Sequence, residues 1–183
     1  MVTVDGFGVP VEVAGPAKGS VVVVLGAAHQ APAAYDPVCQ RLHTASLRTV
    51  VIGPDPRLTG KSVVGILDSL DVRWALLVGD RLGGELAWEL AATRLDRFIG
   101  LVAVDRGHPR VADPAGVIRD EHCPPVELNT TVLVSTKAAR AMAVASQRFV
   151  YGEYRIVDLL GRRNAADSTA QLATEIVMRT STW

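Results

Sequence analysis

Apolar positions in this chain fall into short β-branched runs separated by segments of helical period. Val21-Val22-Val23-Val24-Leu25 is continuous, ends at Gly26 and reads as a strand buried on both faces. In residues 33–43, Tyr35, Val38, Cys39 and Leu42 fall at i, i+3, i+4 and i+7, one face of a helix. The alternation continues with a strand over 48–52, closed by Gly53-Pro54, a short helix over 63–70 and a strand over 74–78. A helix over 82–93 carries Leu82, Leu86 and Leu90 on one side, and a strand over 98–104 follows it. Residues 106–129 break the rhythm with Pro109, Pro114, Pro124 and Pro125, and predict loop with room for one short helix. Beyond them come a strand over 130–135, a helix over 138–147, a strand over 154–157 and an amphipathic helix over 167–179, with Leu172 and Ile176 inward. At the start, residues 2–13 alternate around Gly6 and Gly8, the pattern of a hairpin.

Strands alternating with helices argue an α/β fold: a mainly parallel, doubly wound sheet with helices on both faces. Residues 1–183 read as a single domain, with no repeat and no low-complexity linker. In such sheets a ligand site lies outside the carboxyl ends of the strands.

Composition narrows the function classes. The 19 Lys+Arg balance 19 Asp+Glu and aromatic residues are only 5%, so neither a nucleic-acid face nor a base-stacking platform is expected. The apolar runs fall far short of the roughly 20 residues that span a bilayer. The opening residues carry no basic, apolar leader, so the expectation is a cytoplasmic protein with no membrane partner. Cys39 falls on an apolar helical face and Cys123 beside Pro124-Pro125, not at metal-ligand spacing, so no metal and no cofactor is expected. Gly60-Lys61-Ser62 is not a phosphate loop, because Asp55 stands where that motif needs glycine.

One turn carries most of the chemistry. The strand Trp74-Ala75-Leu76-Leu77-Val78 runs into Gly79-Asp80-Arg81-Leu82-Gly83-Gly84 and directly into a helix. Its small residues permit a sharp strand-to-helix turn with close packing. The turn resembles the nucleophile elbow of the α/β hydrolases, G-x-S-x-G, with Arg81 in the serine slot. The resemblance extends from Gly6 to Arg179 and is strongest from Val21 to Asp105. Gly26-Ala27-Ala28-His29-Gln30 is similar to that family's oxyanion loop, and Tyr35-Asp36-Pro37-Val38 with Leu42 to its first helix. Val50 to Arg57 with Gly60, and Leu95 to Asp105, are similar to the strands on either side of the elbow unit. The resemblance implies a small α/β-hydrolase fold whose cap is reduced to a loop over 106–129.

The departures bear on function. A guanidinium stays protonated, offers no lone pair and cannot attack a carbonyl. The family's acid would follow the strand 130–135, where Thr136, Lys137 and Ala138 stand. Its histidine would fall near Gly161-Arg162-Arg163-Asn164, which holds none. The resemblance therefore implies a degenerate triad. Remnant catalytic candidates are His29 in the oxyanion-like loop, Asp105 at the end of the strand after the elbow, and His108 shortly beyond. Asp105 with His29 or His108 would make an acid/base pair.

Arg81 has two readings. It closes an internal ion pair with Asp80, Glu85 or Asp105, or it joins the helix N–H groups in binding an external carboxylate or phosphate. The leading expectation is a pseudoenzyme that binds a small ligand, anionic where Arg81 receives it, or a protein partner, at the former active-site crevice. Its site residues would be Arg81, Asp80, Leu82, Ala27, Ala28 and Arg162. The alternative is an enzyme of altered, non-serine chemistry, a weak hydrolase or lyase, acting on an anionic substrate through Arg81 and His29. As a protein partner, a second copy or an active homologue fits the open crevice mouth.

Overall fold

The computed structural model describes residues 1–159 and 165–181, with the side chains of 165–167 left out. Seven strands form one sheet: β1 (Val11–Ala14), β2 (Val21–Leu25), β3 (Arg48–Ile52), β4 (Ala75–Asp80), β5 (Phe98–Val104), β6 (Thr130–Val134) and β7 (Tyr154–Asp158). The order is β1-β3-β2-β4-β5-β6-β7, and only the β1–β3 pairing is antiparallel. Five helices connect or follow the strands: α1 (Asp36–Thr44), α2 (Gly60–Ser69), α3 (Leu82–Thr93), α4 (Lys137–Ser146) and α5 (Ala165–Thr180).

The two faces of the sheet follow from strict alternation within the strands. Val23, Leu77, Leu101, Ala103 and Val132 pack with Val63 of α2, Trp88 of α3 and Ala143 of α4. Val22, Val24, Leu76, Val78, Val102 and Leu133 pack with Val38 and Leu42 of α1 and Ile176 of α5. Every residue of β4 and β6 is buried, which a strand covered on both faces requires. Among the described residues no helix is long and apolar enough to cross a membrane.

Three local differences from the sequence reading have physical causes. The hairpin over 2–13 reduces to a single Val2–Gly8 bridge, because Val11–Ala14 instead pairs with β3 along the sheet edge. α2 begins at Gly60, three residues before the first apolar position, because the Thr59 side chain accepts the Ser62 N–H and caps the turn. The loop over 106–129 contains no helix; its prolines and the positive φ of Gly116 (83°) interrupt it.

From β2 the chain goes to β3 on one side, then through α2 to β4 on the other side of β2. This reversal opens a crevice at the carboxyl ends of β2 and β4. Ala27 follows the first of these strands and Arg81 the second.

Candidate functional site

The elbow is shaped by close backbone approach. A Cβ on Gly83 would lie 2.1 Å from the Leu25 carbonyl oxygen, and one on Gly79 would lie 2.5 Å from the Ala87 Cβ. α3 therefore starts hard against the end of β2. Arg81, between β4 and α3, adopts φ 47° and ψ −103°, a conformation that side chains with a Cβ rarely take. Its N–H is fixed by the Val104 carbonyl at 3.0 Å, and its own carbonyl accepts the Gly84 N–H at 3.0 Å and the Arg106 Nε–H at 3.1 Å. The sharp turn projects the Arg81 side chain outward, where it is 55% exposed.

Asp80, one residue earlier, is buried. Its Oδ2 accepts the Tyr35 hydroxyl proton at 2.8 Å, while Oδ1 has no hydrogen-bond partner among the described residues and lies 3.6 Å from Arg81 Nη1. Desolvation pushes the Asp80 carboxyl above the ordinary carboxylate range; the neighbouring guanidinium and the Tyr35 hydroxyl pull it back. Burial and the Asp80 charge in turn hold the Tyr35 phenol above its usual value. The same hydroxyl accepts the Ala27 N–H at 2.8 Å. In the α/β-hydrolase arrangement an N–H of this loop stabilises a developing oxyanion; here the Ala27 N–H is engaged by Tyr35.

Asp80, Arg81 and Tyr35 line an open crevice of about 670 Å³, with Val38, Leu159 and Leu172 among its apolar walls. Ser135 and Thr136 line it as well. Ser135 donates its N–H and its hydroxyl to the two carboxylate oxygens of Asp105, at 2.6 and 2.5 Å.

The structure separates several residues that the sequence reading placed together. No hydrogen bond joins Asp105 to His29 or His108 among the described residues; the Asp105 carboxylate is closed by Ser135. His108 is buried between Trp88 and Phe149, donates Nε2–H to the Pro124 carbonyl at 2.9 Å and accepts the Arg110 N–H on Nδ1 at 3.2 Å. Both ring nitrogens therefore pin the cap-like loop, and burial depresses the imidazole's proton affinity. His29, at φ 62°, and Ala28 are exposed and line neither cavity of the strand ends. Arg162 lies outside the described residues.

Leu82 turns away from Arg81 into a second cavity of about 300 Å³, between α3, the ends of β2 and β3, and the loop after β5. There Glu85 pairs with Arg106 and Arg119 at 3.1 and 3.2 Å, so of the three carboxylates considered for Arg81 two are engaged elsewhere, and Asp80, at 3.6 Å, is the one that pairs with it. Sequence reasoning missed Tyr35 as a polar residue of the site, because its position on an apolar helical face marked it as core. No group of three or more His, Cys, Asp and Glu that could hold a metal ion occurs among the described residues.

No protein-family model matches the sequence, and no curated protein matches it. Solved structures do match in fold. An esterase from Exiguobacterium antarcticum superposes with a TM-score of 0.80 at 13% identity, over 98% of this chain and 98% of that one. Epoxide hydrolase A from Mycobacterium thermoresistibile gives 0.75 at 10% identity, over 96% of each chain. The enol-lactonase from Burkholderia xenovorans gives 0.73 at 14% identity, over 94% of this chain and 95% of that one. The chain has the α/β-hydrolase fold.

Proposed function

We propose that this α/β-hydrolase-fold protein is non-hydrolytic and binds a small anion-bearing ligand in the crevice around Arg81. The observation that carries the reading is the side chain at the elbow. The turn that would present a nucleophile instead presents a guanidinium, 55% exposed, at the rim of a crevice of about 670 Å³. A guanidinium matches a carboxylate or phosphate with two parallel N–H donors. The engagement of the Ala27 N–H by Tyr35 supports the same reading, since one donor for a tetrahedral oxyanion is occupied.

Thermal unfolding with a panel of small carboxylates and phosphates tests it, beside hydrolysis of p-nitrophenyl acetate. A ligand at a hundredfold excess over its dissociation constant stabilises by about 2.7 kcal/mol. That raises Tm by roughly 5–10 °C for a chain of this length. Wild type gains such a shift and Arg81→Ala loses it, with ester hydrolysis at background in both. Saturable ester hydrolysis that one crevice substitution abolishes would overturn the reading. So would an absent anion shift combined with an Arg81→Ala protein destabilised without ligand, which assigns Arg81 to holding Asp80.

A further inference from the structure

Two charges of opposite sign meet in this crevice, and only one of them, the half-exposed Arg81, has room to turn. Asp80 is buried, its side chain 12% exposed, and among the described residues its Oδ1 lacks a hydrogen-bond donor. A buried carboxylate oxygen left in that state carries an uncompensated desolvation penalty. Arg81 Nη1, at 3.6 Å, supplies charge but not a hydrogen bond. The other carboxylate near the crevice, Asp105, is closed on both oxygens by Ser135, so Asp80 Oδ1 is the acceptor left open.

A simple anion satisfies only half of this arrangement. It would draw the guanidinium outward and leave Asp80 buried beside no cation, a costly state. A ligand that brings its own cation removes the conflict. We propose that the crevice takes a zwitterion, an α-amino acid with a large apolar side chain, its carboxylate on Arg81 and its ammonium on Asp80 Oδ1. The inference rests on reading Arg81 as an anion site and specifies what that site selects. The ammonium enters where the guanidinium now stands and gives Oδ1 the donor it lacks; the half-exposed guanidinium swings out to the carboxylate. Each protein charge keeps an opposite charge beside it throughout, and an ammonium carries three donors to satisfy the oxygen. The apolar walls, Val38, Val104, Leu159 and Leu172, accept the side chain.

Three molecules separate the alternatives: L-leucine, 4-methylpentanoate, which lacks the ammonium, and 3-methylbutylamine, which lacks the carboxylate. Binding is read by calorimetry on the wild-type protein. Leucine is expected to bind roughly 10–100-fold more tightly than either analogue, the factor that one charge-assisted hydrogen bond supplies. Asp80→Asn is expected to bring leucine down to the level of 4-methylpentanoate, and Arg81→Ala to lose both. Equal affinity for leucine and 4-methylpentanoate overturns the zwitterion and leaves the anion site standing. Binding of the amine alone overturns both. Failure of all three at millimolar concentration overturns this inference, while an anion-induced thermal shift then still supports the broader reading. The wild-type comparison decides even where Asp80→Asn does not fold.

Discussion

The hydroxyl oxygen of Tyr35 accepts the amide proton of Ala27 at 2.8 Å. Because that hydroxyl also donates to Asp80 at 2.8 Å, one phenol links the loop after β2 to the last residue of β4. Tyr35→Phe keeps the ring among Val24, Val38 and Leu42 but leaves a buried N–H and a second buried carboxylate oxygen unpaired. Each unpaired group costs about 1–3 kcal/mol, so Tm is expected to fall by roughly 4–24 °C, measured by thermal unfolding. A Tyr35→Phe protein as stable as wild type would mean that the link contributes nothing.

The contact between Gly83 and the end of β2 makes a sharp steric prediction. Gly83→Ala places a Cβ 2.1 Å from the Leu25 carbonyl oxygen, and backbone on both sides leaves little room to yield. A loss of about 3 kcal/mol or more is expected, on the scale of severe core overpacking. Gly8→Ala, where nothing lies within 4 Å, is the control and should stay within about 0.5 kcal/mol of wild type. Urea unfolding midpoints of the two variants decide the point.

The backbone of Arg81 allows its charge and its strain to be separated. Arg81→Ala and Arg81→Gly both remove the guanidinium from Asp80, but only glycine adopts φ 47° and ψ −103° without steric conflict. Arg81→Gly should therefore be more stable than Arg81→Ala by about 1–3 kcal/mol. Equal stability of the two variants would show that the elbow relaxes when the side chain is shortened.

His108 predicts a pH dependence of stability. Burial lowers its proton affinity below the ordinary value of 6.5, so on acidification the unfolded chain takes up a proton that the folded protein refuses. The sign follows: this contribution is complete above pH 6.5 and is lost as pH falls below it. Urea unfolding at about pH 7.5 and about pH 5.5 should show lower stability in acid. His108→Phe should flatten that slope while lowering stability at both pH values, since the Pro124 carbonyl and the Arg110 N–H lose their partner. A slope unchanged in His108→Phe would assign it to another group.

What the sequence determined by itself is local. The β-branched run of Val21–Leu25 and the apolar run of Phe98–Val104 follow from residue types a few positions apart, and these bounds agree with the structure. The elbow was legible for the same reason, since Gly79, Gly83 and Gly84 mark close packing whatever the partner. The edge pairing of β1 was not, because a short alternating run pairs equally well with a neighbour in sequence or with a distant strand. Nor was the division of the site. Arg81 and Leu82 are adjacent, yet one faces the crevice and the other a separate cavity, because the unusual backbone at Arg81 turns the chain between them. Tyr35 reaches Asp80 across 45 positions, a contact that exists only because the chain reverses direction at β2 and brings the ends of β2 and β4 side by side. His108 read as an acid/base candidate beside Asp105, and only the fold shows it closed in by Trp88, Phe149 and Pro124. Patterning is set by each residue's own preference for water or core; hydrogen bonds and burial at the site depend on groups that only the folded chain brings within reach.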